Sequence, residues 1–523
     1  MRLTGIYKHH LTAAAVSGLL ITAAFPRVQV AWMGWFALAP LLWSLQGQRW
    51  KEGFRIGFVF GLIHYLSLIY WIAYTIKTYG NLPWVLGVPI LFLLCASLAV
   101  FTGIFGALQS GLVKRPWHFL LFTPMIWVGL EFLRSFVFTG FPWLPLGNSQ
   151  YPYLHLIQVA DMVGVFGISA LLMYGNVLVF LTIFYFSRSN KNQGMLSGKH
   201  LAGILVSGAV ILAAVVIYGD YRLKAMDRAA SGISQKTVAI VQGNIDQAIK
   251  WNPDFTVTTI AKYSEMSETA AQKKPDLIVW PETATPFYYG VHPVLSRLVR
   301  NGIIKNQTSY LIGSPSFTAE SNHRVFHNSA FLVDPTGKTI GKYDKAHLVP
   351  FGEYVPYKKY LPFLGKMVAA VGDFRPGPKG RTLAWGDTRL GIQICYEIIF
   401  PALSRRVTLN GANILVNQTN DAWYGRTSAP YQLLSMAVMR AVENRRTVIR
   451  AANTGFSAFI DPAGRIHHRT ALFEEAVIWH AVPVLKKTSL YTRYGDILGI
   501  IGLTTIALLG CRRVFLAIGR DDA

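Results

Sequence analysis

The sequence predicts a multi-span α-helical membrane domain joined to a layered α/β domain that is inserted before the last span. Three observations carry this. Hydrophobic residues make up 52% of the 523 and charged residues only 15%, whereas an average soluble domain carries about 25% charged residues. The apolar residues cluster toward the two ends of the chain, in runs near the ~20 residues a helix needs to cross a hydrocarbon core. Between them lies a long stretch in which short β-branched runs alternate with polar helical patterns. The composition excludes a disordered or fibrous chain, and three cysteines exclude a disulfide scaffold. The net charge of +24 suits nucleic acid or an anionic membrane surface. Clustered apolar runs decide for the membrane.

The expected domains are 1–220, about seven transmembrane helices; 221–488, the α/β domain; and 489–523, a last helix with a short tail. The spans are expected near Leu11–Phe25, Val28–Leu45, Phe54–Ile76, Leu82–Leu112, Trp117–Phe138, Ile157–Phe186, Leu201–Tyr218 and Leu490–Leu509. The first run is followed at once by a second, with no small-residue cleavage site, so it reads as a retained helix rather than a signal peptide. Basic residues collect on the loops of one side. Arg49, Lys51, Arg55, Lys114, Arg115, Arg188, Lys191 and Lys199 fall there, against Arg27, Lys77 and Arg134 on the other. The positive-inside rule then places both termini in the cytoplasm and the α/β domain outside it. Glu131 and Arg134, three residues apart, are spaced to pair on one helix face.

In the middle region, Thr237–Gln242, Asp276–Pro281, Tyr310–Gly313, Arg389–Cys395 and Asn413–Val416 read as buried strands. Asp334-Pro-Thr-Gly337 and Asp461-Pro-Ala-Gly464 each join two short apolar runs. Proline presets φ and glycine supplies a positive φ, so both are hairpin turns. Asp254–Gln272 and Gln432–Glu443 read as helices between strands.

Chemistry begins with the cysteines. Cys95 sits in an apolar span and Cys511 at a helix end, so both read as packing residues. Cys395 ends a strand and precedes Tyr396-Glu397, where the chain turns and can present a reactive group. A nucleophilic cysteine needs a base or a nearby cation, because the thiolate is the reactive form. Trp280-Pro-Glu282-Thr places a carboxylate just past one strand. Lys345-Ala-His347-Leu-Val-Pro-Phe-Gly-Glu353 places a lysine and a glutamate just past a hairpin. Each charge alone reads as a solvated surface group. Together they follow strands that one sheet can bring to a common edge.

This order of motifs resembles the nitrilase superfamily across about Lys236–Val484. Together with the flanking spans it resembles the apolipoprotein N-acyltransferase family over essentially the whole chain. Val241-Gln-Gly-Asn-Ile245, Trp251, Asn420-Asp-Ala-Trp-Tyr-Gly425 and Asn453-Thr-Gly455 are similar to segments of that family. The resemblance implies an αββα sandwich with Cys395 as nucleophile, Glu282 as general base and Lys345 as oxyanion stabiliser, helped by a backbone N–H near Tyr396. It implies a positioning role for Glu353 and a supporting one for Glu397. Trp251, Trp423 and Trp143 would line substrate entry, or equally serve as aromatic packing. The implied reaction is acyl transfer through a thioester. The donor is a membrane phospholipid, typically phosphatidylethanolamine, and the acceptor is the N-terminal diacylglyceryl-cysteine of an apolipoprotein. No cofactor, metal or nucleic acid is implied. A monomer is expected in a bacterial inner membrane, with the catalytic domain in the periplasm. Tyr357–Val371, apolar with basic punctuation, reads as an interfacial arm or a buried helix. Two rivals differ in class. A transporter fits the spans but leaves the Glu–Lys–Cys order unexplained. A membrane-anchored hydrolase shares the triad and differs in using water as acceptor, but one anchor would suffice for it.

Overall fold

The computed structural model describes residues 5–80, 83–113, 115–187, 196–230, 232–320, 323–356 and 373–521. The expected arm at Tyr357–Val371 lies outside the described residues. The chain divides into two compact units. One holds Met1–Ala73, Pro83–Arg222 and Tyr494–Ala523; the other holds Tyr74–Leu82 and Leu223–Arg493.

The first unit is helical. Its elements are α1 (Gly5–Ala23), α2 (Ala39–Leu45), α3 (Trp50–Leu68), α4 (Trp71–Gly80, shared with the second unit), α5 (Trp84–Leu112), α6 (Pro116–Arg134), α7 (Leu154–Ile157), α8 (Ala160–Phe186) and α9 (Gly198–Ala230, also shared with the second unit). Among the described residues, three helices are long and apolar enough to cross a membrane: Trp84–Gly111, Ala160–Phe186 and Gly198–Ala229. The pair α3 and α4 makes a fourth if its 53° bend is counted within one span.

Several expected spans are discontinuous. In place of a single helix over Val28–Leu45 there is a 3-10 turn at Ala31–Trp35 followed by the short α2. The span over Phe54–Ile76 bends after Leu68. There the Ser67 hydroxyl donates back to the carbonyls of Ile63 and His64, at 2.8 and 3.0 Å, a pattern that bends helices. Helices α3 and α5 pack at backbone contact. A Cβ on Gly57 would lie 2.2 Å from the Thr102 carbonyl oxygen, so only glycine allows this approach.

Glu131 and Arg134 are buried but not joined as an ion pair. Glu131 Oε1 accepts from Trp127 Nε1 at 2.9 Å and from the Leu146 N–H at 2.7 Å. Arg134 donates to the Tyr65 hydroxyl at 2.9 Å and to the Trp143 carbonyl at 3.2 Å. Backbone groups of the following loop outcompete the neighbour one turn away.

The second unit is built on β1 (Gln235–Gln242), α10 (Thr256–Ala271), β2 (Leu277–Val279), α11 (Pro293–Asn306), β3 (Ser309–Glu320), β4 (His323–Val333), β5 (Thr339–Asp344), β6 (Leu383–Trp385), β7 (Thr388–Ile394), α12 (Pro401–Leu409), β8 (Ile414–Thr419), α13 (Ala429–Asn444), β9 (Thr447–Ala452), β10 (Ala458–Ile460), β11 (Ile466–His467) and β12 (Ala476–Pro483). Two helices complete the chain: α14 (Leu490–Tyr494), and α15 (Ile497–Asp521) in the helical unit. The expected last span is interrupted between them, where Gly495 adopts φ 76°.

The strands form two six-stranded sheets, in the orders β12-β1-β2-β3-β4-β5 and β11-β10-β9-β8-β7-β6. In each, three central strands run parallel and the outer ones antiparallel. Alternation sorts the side chains. Ala239, Val241, Ile278, Trp280, Tyr310 and Ile312 form one core with Ile260 and Tyr263 of α10 and Val299 and Ile303 of α11. Val238, Ile240, Leu277, Val279 and Leu311, on the opposite face, are also fully buried. The sheet is therefore covered on both sides, by helices and by the second sheet, which carries α12 and α13 on its own outer side. Continuous apolar runs in parallel strands require this. β12 escapes the sequence pattern because it is a half-buried edge strand.

Candidate active site

The site stands at the carboxyl ends of strands from both sheets, where open α/β sheets present their ligands. Glu282 lies on the turn after β2. Gly313 of β3 lets that turn lie flat, since a Cβ there would fall 2.2 Å from the Pro281 carbonyl oxygen. Lys345 follows β5 directly. Cys395 follows β7 with φ 52°, an uncommon conformation for a residue with a side chain. A 3-10 turn over Cys395–Ile399 completes the reversal.

All three side chains are buried, Lys345 at 1% exposure. The Lys345 ammonium lies 2.9 Å from Glu353 and 3.8 Å from Glu282 Oε1. Asn328 of β4 donates to both carboxylates, at 2.8 Å to Glu282 Oε1 and 3.0 Å to Glu353 Oε1. The Asn420 N–H, just past β8, donates to Glu282 Oε2 at 2.9 Å. Glu282 is thus aimed by donors from both sheets. Glu353 also accepts from the Val349 N–H at 2.8 Å, which closes the loop after Lys345.

Burial pulls the Lys345 ammonium down, but Glu353, Glu282 and Cys395 outweigh it and hold it above the ordinary lysine range. The Cys395 thiol is pushed up to about 12 by burial first and by Glu282 second, against the pull of Lys345 and the Thr419 hydroxyl. At neutral pH Cys395 is therefore a protonated thiol.

Glu397 works on the backbone. It accepts from the N–H groups of Ala346, His347 and Ile394 at 2.7, 2.9 and 2.6 Å, and from the Tyr343 hydroxyl at 3.0 Å. One carboxylate thereby ties the loop of Lys345 to the turn of Cys395. Burial raises it to about 7, opposed by the Ile394 N–H, the Lys345 charge and the other two amides. Tyr396 is buried and packs edge-on against Phe400, with ring centroids 5.2 Å apart. Trp423 packs edge-on against Tyr79 at 4.9 Å, and its carbonyl accepts from Thr75 at 2.9 Å. Trp251 is 36% exposed. Trp143 belongs to the helical unit, packed between Trp71 and Phe141.

The structure adds groups that the sequence did not single out. Asn328 is one, an amide on a strand whose neighbours are set by register. Another is the buried pair Arg450–Asp421 at 2.7 Å. Asp421 accepts from the Thr419 hydroxyl at 2.8 Å. Arg450 donates to Asn417, which in turn holds the Cys395 carbonyl at 3.3 Å. Lys250 is a third, buried with its ammonium 3.2 Å from the Glu282 carbonyl oxygen. Its one sequence signal was adjacency to Trp251.

Two facing sheets, helices outside, and a buried carboxylate–lysine–cysteine centre at the strand ends define a carbon–nitrogen hydrolase type of domain. The family model described as carbon-nitrogen hydrolase matches residues 237–487. A second, described as the apolipoprotein N-acyltransferase N-terminal domain, matches residues 17–178. An apolipoprotein N-acyltransferase of Geobacter metallireducens is 42% identical over 504 residues, covering 96% of this chain and 95% of that protein. One from Allorhizobium ampelinum is 33% identical, covering 89% and 88%. Among solved structures, Saccharomyces cerevisiae Nit3, described as a member of branch 10 of the nitrilase superfamily, aligns with a TM-score of 0.38 at 20% identity, over 48% of this chain and 91% of that one. The chain belongs to the apolipoprotein N-acyltransferase family. Its fold is a nitrilase-like two-sheet domain joined to an N-terminal helical region with several apolar helices.

Proposed function

We propose that this chain N-acylates the N-terminal diacylglyceryl-cysteine of apolipoproteins, by ping-pong transfer from a membrane phospholipid through a thioester on Cys395. The Cys395 sulfur attacks the ester carbonyl, with phosphatidylethanolamine as donor and its sn-1 ester as the point of attack. Glu282 takes the thiol proton as the C–S bond forms. Lys345 stabilises the tetrahedral oxyanion with a backbone N–H near Tyr396, a contribution worth about 3–4 kcal/mol for one such donor. The C–O bond breaks, Glu282 returns its proton to the leaving oxygen, and a lysophospholipid departs. The acceptor's α-amine then attacks the thioester and its proton passes to Glu282. The C–S bond breaks, leaving an amide and a regenerated thiol. Glu353 positions Lys345, and Glu397 supports the turn of Cys395. Trp251 and Trp423 line substrate entry, whereas Trp143, fully buried in the helical unit, is a packing residue.

The observation that carries this reading is the buried Lys345 ammonium shared between Glu282 and Glu353 beside the Cys395 thiol. Family membership over nearly the whole chain supports an amine acceptor rather than water. The same reading divides the chain into 1–220, 221–488 and 489–523. It places the protein in a bacterial inner membrane as a monomer, with the catalytic domain in the periplasm and both termini in the cytoplasm.

Intact mass spectrometry after exposure to phosphatidylethanolamine tests it, with wild type beside Cys395→Ala. A fatty-acyl mass gain on wild type alone, removed by neutral hydroxylamine and discharged by a diacylated lipopeptide, is expected. Folded wild type that takes no acyl group from any phospholipid refutes acyl transfer. An adduct discharged by water but never by the lipopeptide points to hydrolysis instead.

A further inference from the structure

Lys250 lies in the segment between β1 and α10, and it is buried in a way few lysines are. It is 4% exposed, and among the described residues it forms no ion pair. Its single side-chain hydrogen bond goes to the main-chain carbonyl of Glu282, at 3.2 Å. The segment around it is fastened to the catalytic strands. Gln247 Oε1 accepts from Asn420 Nδ2 at 2.6 Å. The Ile245 N–H donates to Asn453 Oδ1 at 2.9 Å, and Asn453 Nδ2 donates back to the Ile245 carbonyl at 2.8 Å. A lysine stem held this way cannot swing out to solvent. A desolvated ammonium with one neutral acceptor is costly, so its retention there calls for a reason.

Charge balance supplies one. Glu282 and Glu353 bring two negative charges to the centre, and Lys345 brings one positive charge. A thiolate or a tetrahedral oxyanion would form against a net negative surrounding, which disfavours it. With Lys250 protonated, two ammonium groups balance the Glu282 and Glu353 carboxylates, while Arg450 balances Asp421 and Glu397 is held by three main-chain N–H groups. We propose that Lys250 is a further positioning residue of the acyl-transfer centre, one that holds the Glu282 main chain and supplies the second positive charge against which Cys395 gives up its proton. This rests on the acyl-transfer reading and extends it.

The charged and titratable groups that face the Lys250 ammonium are Glu282, after β2, and Cys395, after β7; Lys345 and Glu353 complete the set around Glu282. Burial lowers Lys250 to about 8, with Glu282 and Cys395 pulling the other way. The ammonium is therefore present below about pH 8 and lost above it. A guanidinium at the same place stays charged throughout.

The test compares wild type, Lys250→Gln and Lys250→Arg in full-length protein. Two initial rates are read by peptide mass at Cys395: single-turnover acylation by phosphatidylethanolamine from pH 6 to 10, and alkylation by iodoacetamide at pH 7. Wild-type acylation is expected to fall away above about pH 8. Lys250→Gln is expected to slow both reactions at pH 7, by about 10- to 100-fold, the effect of one to two pK units on the thiolate fraction, and to lose the alkaline fall. Lys250→Arg keeps the neutral-pH rates and also loses the fall, which a purely structural lysine would not produce. Folded Lys250→Gln with wild-type rates and profile overturns the inference and leaves acyl transfer standing. If Lys250→Gln does not fold, the Arg variant decides, and an unchanged alkaline fall in it overturns the inference. Wild type that is alkylated in a Lys250-dependent way but never acylated supports the charge role and strikes at the acyl-transfer reading instead.

Discussion

Replacing Glu397 by Gln tests how the turn of Cys395 is held. The carboxylate receives three main-chain N–H groups and one hydroxyl, from buried Ala346, Ile394 and Tyr343 and half-buried His347. At pH 8, above its value of about 7, it is ionised and every partner finds an acceptor. A glutamine has one acceptor oxygen. If that oxygen stays with Ala346 and His347, the amide N–H₂ faces the Ile394 N–H, which is left unsatisfied in the interior. An unsatisfied buried donor costs about 1–3 kcal/mol, and each remaining bond loses the extra strength of a charged acceptor, about 1 kcal/mol apiece. The expected loss is about 3–5 kcal/mol, a large part of a domain's usual stability of roughly 5–15 kcal/mol. Hydrogen–deuterium exchange at pH 8 reads it locally. The amides of Ala346, His347 and Ile394 should exchange at least about 100-fold faster, at 1.4 kcal/mol per decade, with a larger effect than at amides of α10 or α11. Thioester formation should slow in step, because the turn that presents Cys395 loses its tie to the Lys345 loop. Unchanged exchange at those three amides would refute the reasoning.

Asn328→Leu keeps the volume of the strand residue but removes the donor shared by Glu282 and Glu353. Acylation of Cys395 should slow about 10- to 100-fold, the effect of a lost hydrogen bond to a charged group, with the unfolding midpoint little changed. A wild-type single-turnover rate would show that Asn420 alone aims Glu282. Lys345→Met leaves the two carboxylates facing each other and removes the proposed oxyanion donor. Thioester formation should drop by about 10²–10³, and a smaller loss would argue that the backbone donor carries the oxyanion. For pH dependence, the Cys395 thiol at about 12 is protonated across the working range, and the thiolate fraction keeps climbing as pH rises. In Lys250→Arg, whose cation does not titrate, its alkylation rate should still be increasing at pH 10, whereas a plateau near pH 9, the ordinary thiol value, would contradict a buried, carboxylate-flanked thiol.

How much of this could be read without the structure depends on whether the information is local. The buried strands announce themselves because a strand covered on both faces needs an unbroken apolar run, as in Val238–Val241 and Ile414–Val416. Glu282 and Cys395 follow such runs directly and Lys345 follows a hairpin, so all three were visible as polar groups at strand ends. The two hairpins were legible from Asp-Pro-x-Gly turns. Asn328 was not legible. Its partners come from the turn after β2 and the loop after β5, and only strand register brings them together. Lys250 looked like any solvated lysine, because burial of one side chain in a polar segment leaves no periodic trace. In the helices the period was right and the continuity wrong. Hydropathy registers neither a serine that bonds back into its own helix at Ser67 nor a positive φ at Gly495. The spacing of Glu131 and Arg134 suggested a pair, yet Glu131 bonds to Trp127 and the Leu146 N–H, and Arg134 to Tyr65 and the Trp143 carbonyl.

The two sheets meet through more than apolar area, and this bears on how precisely the site is built. Apolar faces alone tolerate sliding, since one buried methyl replaces another at little cost. Here buried polar groups cross between the sheets. Gln418 of β8 donates to the Trp280 carbonyl at 2.6 Å, two residues before Glu282. Gln242 of β1 accepts from Ser457 at 2.6 Å and from Thr470 at 2.8 Å. Asn420 donates to Glu282 itself. A slip of the sheets would leave each of these groups unpaired in the interior, at a cost of about 1–3 kcal/mol apiece. Those penalties select one register. Glu282 on one sheet and Cys395 on the other are therefore placed by the same contacts that hold the sheets together. Precision at the centre follows from the core, and a substitution such as Gln418→Leu should disturb catalysis before it unfolds the domain.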